Sequence, residues 1–174
     1  KTELDSTKAK KQVAIPLNQI PANLEEADDL IKLGEKKALP KEGILEIDSL
    51  LPIYKDFLFA QKEKSEEFIK ANPNRQKIDN LINKWQGYSN QLNTWQQNLN
   101  NIEDKNMDVL IPFKEGENLW SITLESIKNE NAPPSIINNI ERTIKELANI
   151  KNAINDENNK ALTLETEVIH QKTI

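Results

Sequence analysis

The chain has 174 residues, 37% of them hydrophobic and 29% charged, with a formal net charge of −5 and no cysteine. That length fits one domain of ordinary size, and the mixed charges leave no basic stripe to neutralise a nucleic-acid backbone. Missing cysteines remove disulfides, thiolate metal sites and a cysteine nucleophile. Only four glycines argue against a turn-rich sheet protein or a glycine-rich phosphate loop.

The modest apolar fraction suits an elongated helical bundle, where much of each helix stays wet. No apolar run reaches the ~18 residues that a membrane span needs. The first residue is Lys1, which suggests a processed or excised piece; a cleaved export signal would explain it, and a cloned fragment would look the same.

Residues 1–12 are polar and charge-mixed and read as a flexible arm. Pro16 and Pro21 forbid a continuous helix from Val13, but Pro21 suits the first turn of a new one. Its apolar face is Ile20, Leu24, Ala27 and Ile31, with Leu30 at the edge. Acidic Glu25, Glu26, Asp28 and Asp29 come early and Lys32, Lys36 and Lys37 late, an order that complements the helix dipole. Pro40 ends it. In KEGILEIDS, Ile44, Leu45 and Ile47 could begin a long helix or cap a loop; Asp48 or Ser49 is a fair N-cap for a second helix over about 50–71, with Pro52 tolerated early. There Leu51, Tyr54, Leu58, Gln61, Ser65 and Phe68 keep helical spacing, and Phe57 widens the stripe.

The longest regular pattern follows. Ile78, Leu81, Trp85, Tyr88, Leu92, Trp95, Leu99 and Ile102 step by 3 and 4 in strict alternation, an a/d heptad. Asn74 is its expected N-cap, and the helix is read over about 75–105. Pro112 and Gly116 read as punctuation, with Val109, Leu110 and Ile111 as a short extended piece. Leu119, Trp120, Ile122, Thr123 and Ile127 then predict a separate short helix. After the Asn131-Ala-Pro-Pro break, a last helix runs over about 135–171 on Ile136, Ile140, Ile144, Leu147, Ile150, Ile154, Ala161, Leu164 and Val168. Residues 155–160 carry no apolar member of that stripe, so exposure, a kink or fraying is expected there. The fold class is therefore all-α: an elongated, coiled-coil-like antiparallel bundle of about five helices, one domain over 13–174 after the arm.

Chemistry is sparse. His170 is the single histidine, near a helix C-terminus with only Glu165 and Glu167 close in sequence, which reads as surface rather than a metal or catalytic site. The pairs Glu25/Glu26, Asp28/Asp29 and Glu115/Glu117 sit among lysines in polar runs. General acid–base work needs a desolvated carboxyl, so these read as solvated faces. Trp85 and Trp95 occupy heptad positions and Trp120 lies beyond the break; packing is the reading, against a glycan platform that would need exposed indoles. No catalytic, cofactor-binding or metal residue is assigned, no cofactor is expected, and the chain reads as not an enzyme.

From about Lys77 to Ile174 the chain resembles the extracytoplasmic N-terminal region of large bacterial mechanosensitive ion channels of the small-conductance type. The resemblance rests on KWQGYSNQLNTWQQNLNNI, then LWSITLESIKNENAPPSIINNIERTI, then a long helix ending ALTLETEVIHQ. Trp120, Pro133, Pro134, Leu162 and Leu164 fall where that family's pattern expects them. It implies a turn and a short tryptophan-bearing helix before the proline break, and a long helix leading towards the first membrane span. The family's pore-lining helix and cytoplasmic vestibule are missing from this chain. What the resemblance implies is thus a non-catalytic periplasmic domain of an inner-membrane protein. Its partners would be the rest of the channel polypeptide, neighbouring subunits and cell-envelope proteins, with no nucleic acid and no membrane span of its own. The alternative is an exported or intracellular helical-bundle adaptor that binds partner helices through an exposed apolar stripe.

Overall fold

The computed structural model describes residues 12–173. Among them a single 3-10 turn, Leu17–Gln19, precedes four α-helices: α1, Ile20–Lys37; α2, Glu42–Lys70; α3, Arg75–Lys128; and α4, Pro134–Gln171. No strand occurs among the described residues. The all-α class therefore holds. The expected count of about five helices does not, because three long helices, α2 to α4, account for most of the chain. The arm read over 1–12 lies outside the described residues except for Gln12. Its side chain is held at both ends, donating to Glu115 O at 3.0 Å and accepting from Asn118 Nδ2 at 2.6 Å.

The largest correction concerns α3. The tryptophan helix expected after a break at Pro112 and Gly116 is part of the same 54-residue helix as the heptad, and Val109 to Ile111 are helical. Pro112 removes one backbone hydrogen bond and costs about 3 kcal/mol in a helix interior. Leu110 and Phe113 on either side are each 1% exposed, and burying two such side chains contributes about 1.5–3 kcal/mol apiece. Tertiary burial thus outweighs the local penalty. α2 makes the same trade: Pro52 lies inside the helix beside buried Leu51. That helix starts at Glu42, so Ile44, Leu45 and Ile47 begin it rather than cap a loop, and Asp48 and Ser49 lie inside it rather than at its N-cap. Lys41 gives no side-chain cap, and Glu157 Oε2 accepts its backbone N–H at 3.3 Å instead.

Where sequence signals are purely local, they hold. Asn74 Oδ1 accepts the backbone N–H of Lys77 at 3.0 Å and caps α3. Asn72 and Asn131 adopt positive φ, 50° and 52°, just past the ends of α2 and α3. Asparagine tolerates that left-handed conformation, which reverses the chain after a helix. α1 begins one residue before Pro21 and carries Lys36 and Lys37 in its last turn, but its first turn holds no acidic residue. α4 is unbroken through residues 155–160, which are partly buried rather than frayed.

Where the sequence was read as one bundle over 13–174, the chain divides into two compact units. The first combines the described residues up to Lys37 with Ile111–Asn152. Its core is Ile20, Ala27 and Ile31 of α1, Phe113, Trp120 and Ile127 of α3, and Ile140, Leu147 and Ile150 of α4. Gly34 of α1 belongs to it: a Cβ there would lie 2.6 Å from Phe113 Cε1 and 2.7 Å from Ile150 Cγ2. Only a glycine permits that approach. Buried Thr123 Oγ1 accepts the backbone N–H of Ile15 at 3.0 Å and donates to Leu119 O at 2.8 Å, tying the lead-in segment to α3. Glu117 pairs with Lys151, both largely buried.

The second unit takes Ala38–Leu110 with Ala153–Ile174. Ile44, Ile47, Leu51 and Leu58 of α2 meet Leu92, Trp95 and Leu99 of α3 and Ala161, Leu164 and Val168 of α4 in one cluster. Burial fades towards the α2–α3 turn. Leu81, Trp85 and Tyr88 are partly buried and Ile78 is exposed, although they continue the same heptad. The reason is geometric: α4 ends at Gln171, and the following Lys172 Nζ donates to Gln96 Oε1 at 2.8 Å. Beyond that level, among the described residues, α2 and α3 have only each other.

Candidate functional site

The residues weighed for chemistry are scattered. His170 is exposed in the last turn of α4. Asp29 makes an exposed ion pair with Lys32 at 3.1 Å, and Glu25 and Glu26 are exposed on the same helix. Among the described residues no cluster of three His, Cys, Asp or Glu side chains could hold a metal ion. Trp95 and Trp120 are buried, so neither offers a flat face to a sugar. Trp85 is half-buried, and its Nε1 donates to Ser65 Oγ at 3.1 Å.

What the second unit does offer is a surface. Aromatic rings gather in the middle of the α2–α3 pair. Tyr54 stacks on Phe57 with centroids 5.7 Å apart and meets Trp95 edge-on at 5.2 Å. Tyr88 meets Phe57 at 5.1 Å and Trp85 at 5.4 Å, both edge-on. Such pairs contribute about 0.5–1.5 kcal/mol each beyond area burial. Tyr54 Oη donates to Tyr88 O at 3.3 Å. Burial, and then the neighbouring Tyr88, raises the Tyr54 phenol above its ordinary pKa.

Two open grooves flank this aromatic centre and share Tyr88. One, of about 680 Å³, is lined on α2 by Glu46, Leu50, Ile53, Tyr54 and Phe57, and on α3 by Gly87, Gln91 and Trp95. The other, of about 440 Å³, lies nearer the α2–α3 turn and contains Lys64, Lys77, Lys84, Phe68, Leu81 and Trp85. Their volumes match small-molecule sites. Both, however, are open, and neither is lined by a histidine.

A buried polar band lies elsewhere in the same unit. Asn106 is 3% exposed, and its Nδ2, Glu103 Oε1 and Asn158 Oδ1 are buried without a hydrogen-bond partner. Desolvation first, then Glu165 and Asp104, pushes the Glu103 carboxyl above its ordinary range. Glu165 also accepts from Gln96 Nε2 at 3.0 Å.

In the sequence pattern Tyr54, Phe57, Trp85, Tyr88 and Trp95 are packing positions, and nothing in the core stripe marks Leu50 or Ile53 as groove residues. The available signal was the spacing of Glu46, Leu50, Ile53 and Phe57, a second stripe beside the core stripe of α2. Among the described residues no helix is long and apolar enough to cross a membrane. No family model matches the chain, and no curated protein or solved structure matches it either.

Proposed function

We propose that this chain is a non-catalytic, periplasmic accessory domain of a mechanosensitive ion channel. It stands above the bacterial inner membrane as a helical body and biases gating or assembly through contacts with neighbouring subunits and envelope proteins. Gating of that kind needs a contact that differs between closed and open states. The observation that supports the reading best is the α3–α4 turn. Trp120 is buried ahead of it, Asn131 reverses the chain, and Pro133 and Pro134 open an uninterrupted 38-residue helix that carries Leu162 and Leu164 in its later part. One feature departs from the resemblance: Trp120 belongs to α3 itself, with no turn between it and Trp85 or Trp95.

The natural gene supplies the first test, since the reading requires a hydrophobic span of about 20 residues soon after Ile174. Compartment is the second. Among these residues there is no cysteine, so Ser89→Cys on exposed α3 surface adds one label site to this domain, with the unsubstituted protein as the control. A thiol reagent that crosses only the outer membrane is expected to modify it in intact cells. A continuation without any span, or labelling only after the inner membrane is breached, overturns the proposal. The adaptor reading is favoured by a separate observation, the open α2–α3 grooves.

A further inference from the structure

The α2–α3 pair of the second unit has one covered side and one bare side. α4 covers the first: Lys160 Nζ pairs with Asp48 Oδ2 at 2.8 Å, and Glu165 receives Gln96. On α2 the residues beside α4 are Asp48, Leu51 and Pro52. Leu50, Ile53 and Phe57 stand on the other flank, and no α4 residue lines either groove there. From Glu46 to Phe68 the two grooves together follow about 33 Å of α2, and a helix of about 18 residues, about 27 Å long, covers it from Glu46 to Lys64.

The walls change along that path. At one end they are apolar, with Leu50, Ile53 and Phe57 exposed at 40%, 67% and 38%. A Cβ placed at Gly87 would meet no atom within 4 Å, so the floor is low enough there for a close approach. At the other end the charged lining residues are Lys64, Lys77 and Lys84, without a carboxylate. Glu63, Glu66, Glu67 and Asp79 lie on the same helices but do not line the groove. A cationic floor in a chain of net charge −5 is a local departure from the whole, and it selects its complement.

We propose that this face docks an acidic amphipathic helix of a partner protein. The partner's apolar stripe seats on Leu50, Ile53 and Phe57, and carboxylates at one end meet Lys64, Lys77 and Lys84. Three helices would thereby become four beside Leu50, Ile53 and Phe57, and two would become three beyond the end of α4. A second copy of this chain fits less well. Its corresponding face carries a single lining carboxylate, Glu46, to answer three lysines. The inference deepens the adaptor reading and does not depend on attachment to a channel.

The test uses the full chain and three labelled synthetic helices of about 18 residues. All have the same leucine stripe, and their last turns carry Glu, Gln or Lys. Fluorescence anisotropy is expected to show the Glu helix binding about tenfold tighter than the Lys helix in low salt, a gap that narrows near 0.5 M salt. Ile53→Glu abolishes binding, with the fold checked by circular dichroism; Ile53 is well exposed and not needed for the core. The double variant Lys64→Glu, Lys84→Glu inverts the order of the helices. Equal binding of all three overturns the acidic partner but leaves the adaptor reading standing. No binding by any helix removes both. Sedimentation that shows self-association, lost in Ile53→Glu, assigns the face to a second copy and overturns the proposal.

Discussion

The two compact units draw on the same two helices, α3 and α4, yet they are finished differently. With α1, the first unit closes around Phe113, down to a glycine that no other residue could replace without displacing a ring. With α2, the second is sealed only as far as α4 reaches, beyond which Trp85 and Tyr88 are half-buried, and its flank away from α4 leaves Leu50, Ile53 and Phe57 exposed. A continuous heptad supplies apolar positions; whether they are buried depends on how many helices are present at that level.

Truncating the centre of the closed unit should have the largest effect. Phe113→Ala is expected to cost about 3–5 kcal/mol in urea or thermal unfolding. Trp85→Ala, at the half-exposed end of the other unit, should cost clearly less despite the larger side chain. Equal losses would erase the contrast between the units.

The glycines sharpen it further, with opposite signs. Gly34→Ala drives a Cβ into Phe113 and Ile150 and should destabilise by about 1–3 kcal/mol, as overpacking does. Gly87→Ala meets open space and should stabilise by about 1 kcal/mol through helix propensity alone. Two fully buried threonines of the first unit offer a finer cut. Thr123→Val loses both of its hydrogen bonds and leaves the Ile15 N–H unanswered, a cost of about 1–3 kcal/mol. Thr143 Oγ1 has no partner, so Thr143→Val should be neutral or stabilising.

The smallest effect belongs to the polar band of the second unit. Since the folded state raises the Glu103 pKa above the ordinary 4.5, it holds the proton more tightly than the unfolded chain. Its contribution is therefore present below that range and declines as pH rises through the folded value. Glu103→Gln should leave stability unchanged near pH 4 and increase it at pH 7 by less than about 1 kcal/mol. A gain at pH 4 as large as at pH 7 would detach the effect from ionisation.

Local chemistry made much of this legible. Asn74 as a cap and the break at Asn131-Ala-Pro-Pro ahead of α4 follow from side chains acting on their own backbone. The continuity of α3 did not. Its inward positions run Leu99, half-buried Ile102, Asn106, Leu110, Phe113, with one added step of 4 and a polar member. That insertion disguises the stripe where Pro112 also argues for a break. Residues 155–160 posed the same difficulty, since half-buried Asn158 fills the place of an apolar residue.

By itself the sequence determined the all-α class, Asn74 as the cap of α3, and the inward stripes of Leu51 and Leu58, of Leu92, Trp95 and Leu99, and of Ile140, Leu147, Ile150, Ile154, Ala161, Leu164 and Val168. These depend on backbone geometry and on a period that each segment carries within itself. Only the tertiary structure decided that Pro112 lies within a helix, that Gly34 admits Phe113, and that one flank of the α2–α3 pair stays bare. Each of those outcomes turns on an opposing helix: how close it comes, how much it buries, and where it ends.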